Sequence, residues 1–319
     1  MLRLQLPDQA GMRGLSCLVI VLTLVFLNGC SAVLPSPDQS SLPPRILLHD
    51  VPFFAQQEYQ CGPAALAMLL AWNGEQVVLP RVTEQVYSPG RKGTLQPALV
   101  AAARRNGYLA YPLQGQDALL RELAAGHPVL VLLNLGFSWV PYWHYAVVIG
   151  YDLTADQIFL HSGTEAEAIF SAGVFSRTWA RSQDWGLLVL PAGTLPATAE
   201  EQVYLNAASG LERAGRNLSA AHAYQAAVQQ WPDSFAAWMG LGNSRYAQTD
   251  LPAAAAAFRQ ASRLHSTSGE AWNNLAVVLA AAGQREQALA AIDRAIALGG
   301  HLQESFLQTR QEILAGEIK

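Results

Sequence analysis

The stretch Gln56-Gln57-Glu58-Tyr59-Gln60-Cys61-Gly62-Pro63-Ala64-Ala65-Leu66-Ala67-Met68-Leu69-Leu70 carries the first decision about the fold. A polar, glutamine-bearing segment runs into a cysteine, a Gly-Pro pair and then an apolar run. Pro63 suits a first helical turn, where a missing N–H costs nothing. Cys61 then stands at or just before a helix N-terminus. Open N–H groups and the helix dipole favour a thiolate there, and they lower a thiol below its free value of roughly 8.5. The helix from Pro63 to about Trp72 is apolar on most faces and reads as a core helix. A nucleophilic thiol needs a base, a group that orients the base, and donors for an oxyanion.

The best base is His144, in Tyr142-Trp143-His144-Tyr145-Ala146-Val147-Val148-Ile149-Gly150-Tyr151-Asp152. It opens an apolar strand, from whose end a side chain can enter a cleft. His49 lies in an entry strand, His127 in a helix-to-strand turn, and His222, His265 and His301 in a helical C-terminal part. Around this pair, residues 47–195 read as one domain. Leu47 to Phe54 forms an entry strand, and residues 80–86, 96–106 and 117–125 form helices. Val129 to Leu135, Tyr145 to Tyr151, Gln157 to Leu160 and Leu187 to Leu190 form strands. Helices first and strands afterwards predict an α+β class, with helices packed on an antiparallel sheet.

The N-terminus reads as an export signal. Arg3 and Arg13 precede an apolar run from Leu15 to Leu27, of signal length and short for a membrane span. It ends in Leu27-Asn28-Gly29-Cys30, which resembles the bacterial lipobox, with Cys30 as the lipidated mature N-terminus. Ser31 after it implies the outer membrane, facing the periplasm. Cys17 leaves with the signal over residues 1–30. Cys61 is then the single free thiol, and no disulfide framework is expected. Residues 31–46 are rich in Ser and Pro and read as a tether.

Residues 191–202 read as a linker, and residues 203–319 become alanine-rich and helical. A period of 34 relates Tyr204, Trp238 and Trp272. The same period relates Ala220, Ala254 and Ala288; Tyr224, Phe258 and Ile292; and Ala227, Ala261 and Ala295. Gly215, Thr249 and Gly283 fall at the turns. This is the tetratricopeptide pattern, in copies at about 204–234, 235–268 and 269–302. His301 to Ile318 reads as a capping helix.

Gln, then Cys-Gly-Pro at a helix start, then a histidine opening a Val-rich strand is similar to papain-fold cysteine peptidases. It resembles most the double-glycine-leader (bacteriocin-processing) peptidase family, over roughly residues 47–190. Gly126-His127-Pro128-Val129-Leu130-Val131 fits the strand that family places before its histidine. With a lipobox in front and tetratricopeptide repeats behind, the whole chain looks like a group of bacterial lipoproteins classed with those peptidases. The resemblance implies Cys61 as nucleophile, His144 as base, and Gln56 with the Cys61 N–H as oxyanion donors. The gap from Gln56 to Cys61 is one residue shorter than the common pattern, which leaves Gln57 open and disfavours Gln60. The third member departs from the family's Asp or Asn. The matching place reads Phe159-Leu160-His161-Ser162-Gly163, and His161 is the expected orienter. Asp152 and Asp156 sit in a turn at the far end of the strands.

A net charge of −4 without a basic stripe argues against nucleic acid. There is no His-Glu-x-x-His, paired cysteine, Gly-rich phosphate loop or Gly-x-Ser-x-Gly, so neither metal nor cofactor is expected. The expected function is an envelope peptidase acting on a peptide or protein, with the repeats as a groove for substrate or partner. The rivals are a non-cleaving peptidase fold that serves as a scaffold or peptide-binding module, and acyl transfer by the same thiol.

Overall fold

A computed structural model describes residues 42–56 and 58–318. The expected signal segment, Cys30, most of the expected tether and Gln57 lie outside the described residues. The N-terminal part is an antiparallel sheet of seven strands in the order β4-β9-β5-β6-β7-β8, with β1 paired to the end of β6. The strands are β1 (Arg45–Leu47), β4 (Tyr108–Gln114), β5 (Val129–Asn134), β6 (Trp143–Asp152), β7 (Gln157–Ser162), β8 (Glu165–Ser171) and β9 (Trp185–Pro191). A small ribbon pairs β2 (Tyr87–Ser88) with β3 (Gly93–Thr94). The helices here are α1 (Cys61–Trp72), α2 (Leu79–Val86), α3 (Gln96–Arg105), α4 (Gln116–Ala124) and α5 (Ala172–Ala180). The α+β architecture expected from the order of patterns is the one observed.

Side-chain alternation along β6 divides the core. Tyr145, Val147 and Ile149 pack with α1, where Gly62 to Leu70 are buried. Ala146 and Val148 face the other layer, with Leu119, Leu123, Phe175 and Trp179. Successive residues of a strand point to opposite faces, and this parity matters at the site below.

Three differences from the sequence expectation have local causes. The entry strand is confined to Arg45–Leu47, because the chain turns at His49-Asp50 and Pro52 has no N–H for a ladder. Its continuation to Gln56 is irregular rather than a strand. β8 was not expected: it is an edge strand with exposed Glu165, Ala166 and Glu167, so it shows little apolar pattern. β4 was missed because Pro112 interrupts it; as an outer strand it needs a full ladder only toward β9.

The C-terminal part is helical throughout: α6 (Glu201–Arg213), α7 (Asn217–Gln230), α8 (Phe235–Tyr246), α9 (Leu251–Leu264), α10 (Gly269–Ala281), α11 (Arg285–Leu298) and α12 (Gln303–Ala315). The periodic alanines are buried, and Tyr224, Phe258 and Ile292 fill the spaces between paired helices. Ser234, Asp250 and Ser268 cap α8, α9 and α10 by accepting backbone N–H groups. The three turns in phase, Gly215, Thr249 and Gly283, all have positive φ (70°, 59° and 74°), and Thr249 carries that strain with a side chain.

The two parts share one core. Leu109, Tyr111 and Leu113 of β4 belong to the same apolar cluster as Tyr204, Leu205 and Leu211 of α6. The connection is fastened by the fully buried Glu122 carboxylate of α4. It accepts the N–H of Thr198 (2.7 Å), the Thr198 hydroxyl (2.6 Å), the N–H of Ala197 (3.2 Å) and His127 Nδ1 (2.7 Å). Burial pushes this carboxyl up, but the bonds from His127 and Thr198 outweigh it and hold it below its ordinary value.

Candidate active site

Cys61 is the first residue of α1, and no side chain caps that helix end at Gln60. The first backbone N–H groups therefore remain open toward a cleft of about 910 Å³. Gly62 lets this helix end approach β3: a Cβ there would lie 2.6 Å from Thr94 Cβ. Gln56, Cys61, His144, Tyr145 and Gly163 all line the cleft. The structure thus gathers three of the four expected residues from a loop, a helix start and a strand start.

The electrostatics of the thiol differ from the helix-dipole expectation. Burial pushes the Cys61 thiol above its ordinary value, although the backbone N–H groups of Tyr145, Gly62 and Cys61 favour the thiolate. Burial also pushes the His144 ring below its ordinary value. Each shift favours the uncharged form of its own group.

The partner of His144 is Ser162. Its Oγ lies 2.9 Å from His144 Nε2. His161, the orienter expected from the sequence, is occupied elsewhere. Its Nε2 donates to the Val51 carbonyl at 2.9 Å, and its Nδ1 accepts the Glu167 N–H at 3.1 Å. The ring is buried and stands edge-on to Phe53. The correction follows from strand parity. Val147 pairs with His161 and Val148 with Leu160, so His161 shares the face of Val147, whereas Ser162 shares the face of His144 and Ala146. That signal is present in the sequence once the two strands are paired. Asp152 lies at the opposite end of β6, paired with Gln157 and Arg45.

Gln56 is held on both sides. Its backbone N–H donates to the Gly163 carbonyl (2.9 Å), and its Oε1 accepts the Gly163 N–H (3.1 Å). Its Nε2 donates to the Tyr145 carbonyl at 3.2 Å. Acceptor and donor sides of the amide are thereby distinguished, and one N–H of Nε2 remains uncommitted. Tyr145 in turn donates its hydroxyl to the Thr94 carbonyl at 3.2 Å, tying β6 to the cleft wall. Among the described residues no three His, Cys, Asp or Glu side chains converge in a group that could hold a metal ion.

Comparisons with known proteins give two matches to family models. Residues 48–183 match the Peptidase_C39 like family, and residues 205–267 and 241–301 match the tetratricopeptide repeat. Comparison with curated proteins gave no match. Among solved structures, a C39-like peptidase from Bacillus anthracis is 18% identical, with 46% of this chain and 97% of that one covered and a TM-score of 0.40. A double glycine motif protease from an AMS/PCAT transporter, solved with its leader peptide, is 21% identical over 44% and 90%, with a TM-score of 0.34. On the helical side, YrrB, a tetratricopeptide protein with an unusual peptide-binding site, is 24% identical over 37% and 60%, also at 0.34.

Proposed function

Because the chain joins a Peptidase_C39-like domain to tetratricopeptide repeats, we propose that it is a cysteine peptidase that hydrolyses a peptide or amide bond through Cys61. The observation that carries this reading is the shared cleft. There the cleft is lined both by an uncapped helix start, which carries the only cysteine among the described residues, and by a histidine whose Nε2 is already engaged.

In the tautomer that donates Nε2–H to Ser162 Oγ, Nδ1 keeps its lone pair and is the base. As Sγ attacks the carbonyl carbon, the thiol proton passes to Nδ1, and the carbonyl electron pair moves onto oxygen. The free Gln56 N–H and the Cys61 backbone N–H receive that oxyanion. The imidazolium then returns its proton to the leaving amine, and water releases the acyl group from sulfur.

A second reading is favoured by the same geometry. Ser162 brings no charge to stabilise an imidazolium, and burial disfavours the thiolate, as in a peptidase fold retained to bind peptides. An electrophilic thiol probe separates the two. The peptidase reading expects Cys61 to label at neutral pH far faster in wild type than in His144→Ala; equal rates would overturn it.

The proposal extends to placement and partners. Lipidation of Cys30 would hold the protein at the outer membrane facing the periplasm, which the sequence Leu27 to Ser31 supports. Metabolic labelling with a fatty-acid analogue, lost in Cys30→Ala, tests it. The repeats would offer their groove to a peptide or partner protein, supported by the cavity among Tyr224, Phe235, Met239, Asn243 and His265.

A further inference from the structure

We propose that the hairpin joining β5 to β6 is a wedge that docks on an anionic lipid bilayer and sets the cleft mouth against it. Residues 135–143 read Leu-Gly-Phe-Ser-Trp-Val-Pro-Tyr-Trp and contain no charged side chain. Trp139 is 78% exposed, Tyr142 66%, Val140 63% and Phe137 62%. Phe137 and Trp139 stack face to face, with centroids 5.0 Å apart and planes at 10°.

The hairpin is built to hold these rings in water. Asn134 Oδ1 accepts the N–H groups of Gly136 (3.0 Å) and Tyr142 (2.9 Å). Phe137 and Val140 exchange backbone bonds across the tip. Arg181 Nη1 donates to the carbonyls of Asn134 (3.1 Å) and Gly136 (2.6 Å).

Shape selects the occupant. Tyr142 and Trp143, at the root, line the catalytic cleft, whereas Phe137, Trp139 and Val140 project from the tip and line neither described cavity. A convex, stacked wedge has no groove in which to seat a peptide. A fluid interface closes around such a shape, and aromatic rings concentrate at that depth. The charge beside it agrees. Arg91, Lys92 and Arg181 line the cleft next to the hairpin root against the single carboxylate of Glu58, which suits anionic headgroups.

The test uses the full-length lipidated protein in vesicles of brominated phosphatidylcholine and phosphatidylglycerol, reading tryptophan quenching. Residues 1–41 contain no Trp, so the anchor itself does not report. Trp139 and Trp143 are the exposed tryptophans. Wild type is expected to be quenched, and Trp139→Phe, which keeps the wedge, to lose about half of that quenching. Phe137→Ser with Trp139→Ser is expected to abolish it. Arg91→Gln with Lys92→Gln is expected to weaken it on anionic vesicles and leave it unchanged on neutral ones. Quenching that is absent, or equal in wild type and Trp139→Phe, overturns the proposal. So does a change in Trp139 emission that appears only on adding an apolar peptide, which would assign the wedge to a peptide partner. Cys61→Ser should quench as wild type does, so the result stands apart from that of the peptidase reading.

Discussion

Replacing Ser162 by Ala should slow the chemistry of Cys61 without unfolding the protein. Among the described residues the hydroxyl is the partner of His144 Nε2, at 2.9 Å, on a ring whose charged form burial already disfavours. Removing it leaves a largely buried N–H unpaired, at a cost of about 1–3 kcal/mol. It also frees the ring to rotate Nδ1 away from the thiol. At ~1.36 kcal/mol per decade, the loss corresponds to about 5- to 160-fold in rate. Ser162→Asp should act in the other direction. A carboxylate there favours imidazolium: at 4 Å and an effective dielectric of 20, two unit charges interact by about 4 kcal/mol, offset in part by the cost of burying the new charge. His144 then becomes a stronger base. The assay is the pseudo-first-order rate of Cys61 alkylation by iodoacetamide between pH 5 and about 9, a range that brackets ordinary His and Cys values, which requires no knowledge of the substrate. The expected order is Asp variant, wild type, Ala variant, with the last approaching His144→Ala. His161→Gln serves as the control and should lower thermal stability more than the alkylation rate, since its ring binds Val51 and Glu167. If Ser162→Ala matches wild type while His161→Gln abolishes labelling in folded protein, the assignment of the partner is refuted.

Other expectations concern pH and packing. His144 sits below its ordinary value, so it becomes protonated only in more acid solution. The acid limb of Cys61 reactivity should therefore fall below pH 6.5, the unshifted value, and Ser162→Asp should move it upward. Glu122→Gln should destabilise the junction by about 3–5 kcal/mol, because it breaks a buried charged network, and a drop in the urea midpoint would register it. The folded value of Glu122 is depressed, so its stabilisation is present above the unfolded carboxyl value and lost as pH falls through the folded one. The gap between wild type and variant should accordingly shrink in acid. Gly62→Ala drives a methyl into Thr94, and overpacking of about 1–3 kcal/mol should appear as a lower melting temperature together with slower labelling of Cys61 as the helix start shifts.

How much of the molecule was legible depended on the range of the forces that decide it. The helix at Cys61 is written locally, in Pro63 and the apolar run behind it. The repeats are written in a period of 34 that sets alanines against large side chains, and both features appear in the structure as helices with those residues buried. His144 was legible because it opens an apolar, Val-rich strand downstream of the cysteine. β8 was not, because an exposed edge strand is held by its ladder and its residues carry no apolar alternation. The orienter of His144 was placed one residue away from where the sheet puts it. Sequence spacing brings the chain to the end of β7, but only the register of β6 against β7 decides which of two adjacent side chains faces the ring, and a single step along a strand reverses the face. The state of the thiol belongs to the same class. A cysteine at a helix start reads as acidified, yet tertiary burial outweighs the helix end and pushes the Cys61 thiol up. The sequence alone determined which groups could do chemistry and which segments would be helical, because those follow from residue type and near neighbours. Their partners, their protonation and the fastening of the two parts into one core were decided by the tertiary structure, because desolvation and pairing exist only once distant segments meet.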